Sequence, residues 1–324
     1  MPRKRLTETM SWEEICKNIM FKSKLNNKKY YEWLLSKENL KGVFFNPLMW
    51  KKLYLIQKEV NNDDMDHFIV NTSREGFGKS TFSIQQACVL DPNWNLNKLL
   101  YEPSQLIERI KNSNPGDCLV LDEGNLFLFS REAMTGGNKF MVKLFALFRQ
   151  RNLIVIINVP NFFTLDSYVR DHRTRTLNFI SARGKFQTYK GKAIRIVSGK
   201  GSRFKQIAGI KVPPSDSFKG WFSKYLPATV SEEEYRAYKK KNFDEFVKEI
   251  EQGVADANKK PALIDANEAS RITSVARETL YKKLKKGEIK GKKIGGKVLF
   301  DRVFIENLAK IDNFDNEKSQ NSQN

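Results

Sequence analysis

The stretch "HFIVNTSREGFGKST", residues 67–81, joins a short apolar run to a loop of small residues and then to a lysine and two hydroxyl side chains. Phosphate-binding loops follow the pattern G-x-x-x-x-G-K-[S/T] between a strand and a helix, where backbone N–H groups and the helix dipole hold phosphate oxygens. Gly78, Lys79 and Ser80 match this pattern, and Ser73 stands where the first glycine is expected. A serine is tolerated there if its φ angle is negative. The stretch therefore predicts a nucleotide-binding loop, with a glycine turn and a surface lysine as the alternative.

The phosphate-binding pattern predicts a role for each polar side chain of the loop. Lys79 would neutralise the β- and γ-phosphates of ATP, and Ser80 would hold Mg²⁺ directly or through water. The residues expected to contact the nucleotide are Ser73, Gly76, Phe77, Gly78, Lys79, Ser80 and Thr81.

A second motif follows about 40 residues later, the order and separation usual for the two halves of such a site. In "CLVLDEGN", residues 118–125, an apolar run ends in Asp122 and Glu123. Carboxylates at the end of a buried strand lie where open α/β sheets bind ligands. We expect Asp122 to hold Mg²⁺ with Ser80, and Glu123 to orient or deprotonate the attacking water. The alternative for Glu123 is a solvated strand end.

A third apolar run, "LIVIINVP" at residues 153–160, carries Asn158 near its end. A polar side chain there can sense the γ-phosphate or the attacking water. The alternative is an asparagine that only caps the strand.

Short apolar runs alternate with helical patterns between residues 61 and 178, which predicts an α/β fold with a mainly parallel sheet. The expected helices are "KSTFSIQQACVL", "SQLIERIKNS" and "NKFMVKLFALFRQR". Residues 1–60 read as helical, with Ser11 and Glu14 forming a capping box. Residues 179–212 alternate with period two around glycines and predict β-hairpins, with nine basic and no acidic residues from Ser181 to Lys211.

Together these motifs, with "FRQRN" before the third run and "LDSYVRDHR" after it, resemble the additional-strand P-loop ATPases. The nearest group is that of HerA/FtsK and zonula occludens toxin-like DNA-pumping or export proteins, over roughly residues 65–212. The resemblance implies a RecA-like core, ATP hydrolysis with Mg²⁺, and a homo-oligomeric ring in which a neighbouring subunit's arginine reaches the γ-phosphate. Asn158 stands where that group commonly carries glutamine. The arginine candidates are Arg149, Arg151, Arg170 and Arg173, and the alternative for each is a surface or basic-patch residue.

The C-terminal stretch 264–308 reads as a short helix, a turn, a second helix stopped by Gly287, and a hairpin around Gly295 and Gly296. This order of elements makes a compact DNA-reading module. From Arg271 to Phe300 there are ten basic and two acidic residues. The residues expected to contact double-stranded DNA are Arg277, Thr279, Tyr281 and Lys282 on the second helix, and Lys292, Lys293 and Lys297 on the wing. A solvated, lysine-rich helical hairpin is the alternative.

The motif "NEAS…VARETLYKKLKKGEIKGKKIGGKVLF" resembles the excisionase/MerR-like winged helix-turn-helix family over about 45 residues. Ser274 replaces a glycine that is frequent in the turn, and Ala276 replaces a serine before the recognition helix. The resemblance implies binding to double-stranded DNA with a preferred sequence.

Composition agrees with a nucleic-acid partner. The formal net charge is +20, which favours a polyanion such as nucleic acid or an anionic membrane surface. A genome that loads lysine and asparagine throughout would explain part of the excess. No window reaches the roughly 20 apolar residues of a spanning helix. Cys16, Cys88 and Cys118 show no pairing or metal-ligand spacing, so we expect a cytoplasmic protein, in the host cytoplasm if the protein is viral.

The expected domains are a helical region (1–60), a P-loop ATPase domain with basic hairpins (61–212), a helical connector (213–260), a winged helix-turn-helix (261–310) and a disordered tail (311–324). This pairing predicts an ATP-driven motor that moves, packages or segregates double-stranded DNA of a virus or mobile element, with capsid, portal or other DNA-processing proteins as partners. An ATP-switched DNA-binding regulator or partition factor that does not translocate is the main alternative. A membrane-associated morphogenesis ATPase and a non-hydrolysing ATP-binding subunit are further alternatives.

Overall fold

The computed structural model describes residues 10–40, 43–122, 146–204, 206–258 and 263–302, with Phe304, Ile305 and Leu308. Glu123, most of the helix expected at "NKFMVKLFALFRQR" and the tail 311–324 lie outside the described residues. The chain divides into two compact units, Met1–Asn242 and Phe243–Asn324.

In the described residues before the sheet, three α-helices agree with the helical character predicted for residues 1–60: α1 (Trp12–Ser23), α2 (Lys28–Leu35) and α3 (Pro47–Asn62). The Ser11 hydroxyl accepts from the Glu14 N–H, and the Glu14 carboxylate accepts from the Ser11 N–H. The capping box predicted from these two residues is therefore confirmed.

A seven-stranded, mostly parallel sheet forms the centre of the first unit, which confirms the α/β class. Its strands are β1 (His67–Thr72), β2 (Leu99–Leu100), β3 (Cys118–Leu121), β4 (Ile154–Val159), β5 (Thr174–Ala182), β6 (Lys185–Lys190) and β7 (Ser217–Trp221). Their order is β2-β3-β4-β1-β5-β6-β7. The first five strands in this order run parallel, while β6 and β7 add antiparallel pairings at one edge.

Apolar layers cover both faces of this sheet. The main helices here are α4 (Lys79–Leu90), α5 (Pro103–Lys111), α6 (Lys192–Phe204) and α7 (Glu232–Asn258), and residues 146–150 are also helical. One core cluster joins α4 and the N-terminal helices to one face, while the other joins α5 and α6 to the opposite face. Because α4 lies between the sheet and the N-terminal helices, every residue from Phe82 to Leu90 is buried.

The hairpins predicted for residues 179–212 are confirmed only in the first half, where β5 and β6 pair. The second half is wrong, because Lys192–Phe204 is the helix α6. Its apolar residues Ala193, Ile194 and Val197 share one helical face and are buried. A Cβ atom on Gly201 would clash with the Phe163 ring. That glycine therefore allows a close helix contact where the sequence reading placed a turn.

The segment predicted as a helical connector contains both a strand and a helix. Ser217–Trp221 pairs with β6 as the edge strand β7, and the helix α7 begins later, at Glu232. Strand β7 is tied to the N-terminal helices, because the Asn46 N–H that precedes α3 donates to the Trp221 carbonyl.

The second unit contains the two helices and the hairpin expected there, α8 (Ala266–Thr273), α9 (Arg277–Lys285), β9 (Gly291–Ile294) and β10 (Lys297–Asp301). A short strand, β8 (Leu263–Ile264), pairs with β10. Gly295 and Gly296 have φ angles of 55° and 82°, as a tight two-residue hairpin turn requires. The small core includes Ala269, Leu280 and Phe300.

Candidate functional site

The loop between β1 and α4 contains two glycines in left-handed backbone conformations. Gly76 and Gly78 have φ angles of 76° and 91°, which strongly favour glycine. Ser73 is buried and does not have a positive φ, so a serine fits where the first glycine was expected. Gly78 caps α4 without a side-chain hydrogen bond. The first N–H groups of the helix are therefore not capped by that residue, as at helix ends that bind phosphate.

The Lys79 side chain curls back across this loop. Its Nζ donates to the carbonyl oxygens of Ser73 and Arg74, at 3.1 and 3.4 Å. The ammonium group is thus held beside the glycines. Phe77 and Thr81, also expected to contact the nucleotide, are partly buried, and Phe77 packs against the apolar cluster around α4.

Ser80 and Asp122 meet directly, although 42 residues separate them. The Ser80 hydroxyl donates to Asp122 Oδ2 at 2.8 Å, and Asp122 follows β3 immediately. The other carboxylate oxygen, Oδ1, accepts from Asn158 Nδ2 at 2.9 Å. Three residues predicted from separate motifs therefore form one cluster at the carboxyl ends of β3 and β4.

This cluster offers hard oxygen ligands of the type that Mg²⁺ prefers. Within the described part of the chain there is no group of three or more His, Cys, Asp or Glu residues that could hold a metal. A Mg²⁺ ion bound by Ser80 and Asp122 would therefore depend on further oxygens from water and a nucleotide, as is usual for this ion.

Tyr235, in the first turns of α7, is a site residue that the sequence reading missed. Burial raises the pKa of its hydroxyl to about 12, the nearby Asp122 charge adds to the rise, and the neighbouring Ser80 and Tyr101 side chains partly offset it. The neighbouring Tyr238 hydroxyl donates to the Leu99 carbonyl at 2.8 Å and so fixes this part of α7 on the sheet edge. No motif pointed to Tyr235, because it lies in a highly charged helix.

The arginine candidates lie at the opposite, amino ends of the strands. Arg149 and Arg151 come just before β4, and Arg151 donates to the carbonyls of Lys111 and Ser113. Arg170 and Arg173 precede β5 and form ion pairs with Asp171 and Asp66, respectively. A six-residue strand spans about 20 Å. None of the four therefore reaches the Ser80–Asp122 cluster of its own chain, and Glu123 falls outside the described residues.

The expected DNA-contacting residues of the second unit are all exposed. They are Arg277, Thr279, Tyr281, Lys282, Lys292, Lys293 and Lys297. Arg277 donates to the Asn267 side chain at 2.9 Å, which links α9 to α8. The Tyr281 ring packs against Phe300, with ring centroids 5.8 Å apart. These side chains thus face solvent, while Leu280 of α9 and Phe300 of β10 are buried in the core of the unit.

Comparison with protein-family models and with curated proteins finds no match to this chain. Among the helices that the structure describes, none combines the length and apolar character needed to cross a membrane.

Proposed function

We propose that this chain is a Mg²⁺-dependent P-loop ATPase that binds double-stranded DNA and uses hydrolysis to move it. The observation that carries the proposal is the Ser80–Asp122 hydrogen bond of 2.8 Å beside the start of α4, whose N-cap residue is Gly78. The hydroxyl and the carboxylate that we expect to bind Mg²⁺ are therefore close enough to share one ion. Bound Mg²⁺ would take both groups as direct or water-mediated ligands.

The strand order supports the additional-strand class in particular. Strand β4 lies between β1, which leads into the glycine loop, and β3, which ends at Asp122. An extra strand between these two is the feature that gives the class its name. In this pairing Asn71 of β1 lies opposite Asn158 of β4, so β4 places a polar side chain between the glycine loop and Asp122. From this position Asn158 would sense a γ-phosphate or an attacking water.

The chemistry assigned to this chain follows from those positions. The N–H groups at the start of α4 and the Lys79 ammonium would bind the phosphates and offset charge that develops during phosphoryl transfer. Bound Mg²⁺ supplies further charge stabilisation on the phosphate oxygens. Asn158 would orient the attacking water, and Glu123, which follows Asp122 in the sequence, would accept its proton.

The second unit supports the DNA-binding half of the proposal. Two short helices, a turn and a β-hairpin match the element order of a winged helix-turn-helix, and α9 would be the recognition helix. Arg277 and Lys282 on α9, and Lys292 and Lys293 on the hairpin, are exposed cations on separate elements. Such cations bind phosphates with strong salt dependence, while Thr279 and Tyr281 could reach base edges.

Steady-state ATP hydrolysis with and without duplex DNA tests the proposal. We expect Mg²⁺-dependent hydrolysis that rises with duplex DNA and is lost in Glu123→Gln. A Lys292→Gln/Lys293→Gln variant should keep the basal rate and need more DNA for the same stimulation, because it loses phosphate contacts only. Binding of ATP with slow hydrolysis that does not respond to DNA would replace the motor with the ATP-switched regulator.

A further inference from the structure

A row of polar side chains crosses five neighbouring strands next to the proposed metal site. Its members occupy one level of the sheet and one face, the face covered by α4. They are Asp122 after β3, Asn158 on β4, Asn71 on β1, Asn178 on β5 and Thr188 on β6. The first is 3% exposed and the other four are fully buried. Only Asp122 and Asn158 belong to the site as the sequence predicted it.

Hydrogen bonds connect this row from end to end. The Thr188 hydroxyl donates to Asn178 Oδ1, and Asn178 Nδ2 donates to Asn71 Oδ1, both at 2.7 Å. Asn71 Nδ2 then donates to the Ser83 hydroxyl of α4 at 2.6 Å, and also to Gln86 Oε1.

The chain ends on the metal-binding carboxylate. Ser83 donates to Asn158 Oδ1, with the Lys79 carbonyl as a second acceptor, and Asn158 Nδ2 donates to Asp122 Oδ1. We call the series Thr188–Asn178–Asn71–Ser83–Asn158–Asp122 the donor chain.

Every bond in the donor chain points toward Asp122, and the chemistry of that residue explains the direction. An ionised carboxylate only accepts hydrogen bonds, so Asn158 must present its NH₂ group to Asp122 and its carbonyl oxygen to Ser83. Ser83 has one proton to donate, so it accepts from Asn71, whose oxygen then faces Asn178. Reversing one amide would place two donors or two acceptors against each other in a buried site.

Burial alone requires that these groups be paired, because an unpaired buried polar group costs about 1–3 kcal/mol. Burial does not require them to be aligned. Aligned hydrogen bonds in a low-dielectric interior polarise and strengthen one another. The donor chain therefore strengthens the hydrogen bond that Asp122 Oδ1 accepts from Asn158. The other oxygen, Oδ2, accepts from the Ser80 hydroxyl at 2.8 Å.

We propose that Asn71, Asn178 and Thr188 are positioning residues that orient Asp122 for Mg²⁺ through the donor chain. This inference rests on the proposed function, because it assigns Asp122 to the metal. Outer-shell partners of metal ligands act in this way in other metal sites. Here the outer shell extends across the sheet to β6.

Thr188→Val tests the inference, because it removes the first donor and keeps the shape and β-branching of the side chain. Thr176→Val is the matched control. Thr176 is also a buried threonine on the same face and makes one side-chain hydrogen bond, to His67 Nε2 at 2.9 Å, outside the donor chain. Thr188→Ser restores the hydroxyl.

The readouts are the affinity for a fluorescent ATP analogue in Mg²⁺ and in EDTA, and the melting temperature. We expect Thr188→Val to reduce the Mg²⁺-dependent gain in affinity by about three- to tenfold, below the roughly 10–100-fold typical of a direct outer-shell partner. Thr176→Val and Thr188→Ser should keep the wild-type gain.

Two results would overturn the inference, and they can be told apart. If wild-type protein gains affinity with Mg²⁺ and Thr188→Val gains as much, the donor chain is a structural network only, whatever its effect on melting. If wild-type protein shows no Mg²⁺-dependent binding, the proposed function fails and this inference fails with it.

Discussion

Acidification should destabilise the first unit through one buried histidine. His67 begins β1 and is 1% exposed; its Nε2 lies 2.9 Å from the Thr176 hydroxyl and its Nδ1 lies 3.2 Å from a Glu59 carboxylate oxygen. Burial lowers the pKa of His67 to about 4, and the nearby Glu59 only partly offsets this. The folded protein therefore keeps His67 neutral at pH values where an exposed histidine is charged.

The size of the effect follows from linkage. The pKa of an unfolded histidine is about 6.5, so between pH 6.5 and 4 the unfolded chain binds a proton that the folded chain does not. The contribution is fully present above pH 6.5 and is lost as the pH falls toward 4. At about 1.4 kcal/mol for each pH unit, a drop from pH 7 to 4.5 removes roughly 2–3 kcal/mol of unfolding free energy through His67.

Urea unfolding of wild-type protein and His67→Gln at pH 7 and pH 4.5 measures this contribution. His172→Gln is the control, because His172 is the other histidine of the chain and is exposed. We expect wild-type protein and the control to lose roughly 2–3 kcal/mol more than His67→Gln between the two pH values. Equal losses in all three proteins would refute the reasoning from burial.

Three further substitutions have outcomes that the structure determines. Gly78→Ala should cost about 1–2 kcal/mol through its positive φ, yet the protein should fold, because the nearest atoms to the added Cβ lie at 3.8 Å; titration with Mg²⁺ and ATP should show weakened binding. Lys98→Met should lower the unfolding free energy in urea by roughly 3–5 kcal/mol, because Lys98 bridges the buried carboxylate of Asp91 and the partly buried carboxylate of Asp117 at 2.7 and 3.0 Å. Ser274→Gly should raise the stability of the second unit in thermal melting by about 1 kcal/mol, because Ser274 has a left-handed φ of 57°.

Each of these expectations has a contrary result. Wild-type ATP affinity in Gly78→Ala would mean that the loop conformation is not needed for binding. A change below about 1 kcal/mol in Lys98→Met would place that bridge among weak surface pairs. A lower melting temperature in Ser274→Gly would mean that the serine side chain contributes more than its backbone strain costs.

Sequence patterns could predict the elements that carry their own local signals. The apolar run before the loop, Lys79 and the carboxylate at Asp122 are such signals, since each depends on residues close in the chain. The structure shows how these residues are arranged relative to one another, because strand β4 lies between β1 and β3. That order depends on long-range pairing, which no single stretch encodes.

The donor chain and Tyr235 could not be found in the same way. Asn71 and Asn178 each follow apolar residues in a strand, and this weak pattern predicts a role only for Asn158, which lies near the end of the run at residues 153–160. Tyr235 lies near Ser80 because the first turns of α7 pack along the edge of the sheet, a long-range contact that local sequence does not encode. The hairpin predicted around residues 192–204 is wrong for a related reason. A glycine such as Gly201 can permit a close helix contact, but in the sequence a glycine also favours a turn.

Equilibrium binding of ATP in the presence of Mg²⁺ tests most directly whether residues 73–81 form a nucleotide site. We expect one saturable site for each chain, with affinity reduced roughly ten- to hundredfold in Lys79→Ala, since a charged hydrogen bond contributes about 1.5–3 kcal/mol. Arg74→Ala, which changes an exposed residue of the same loop, should bind like wild-type protein. No binding by wild-type protein, or equal binding by Lys79→Ala, would contradict the assignment of this loop to phosphate binding.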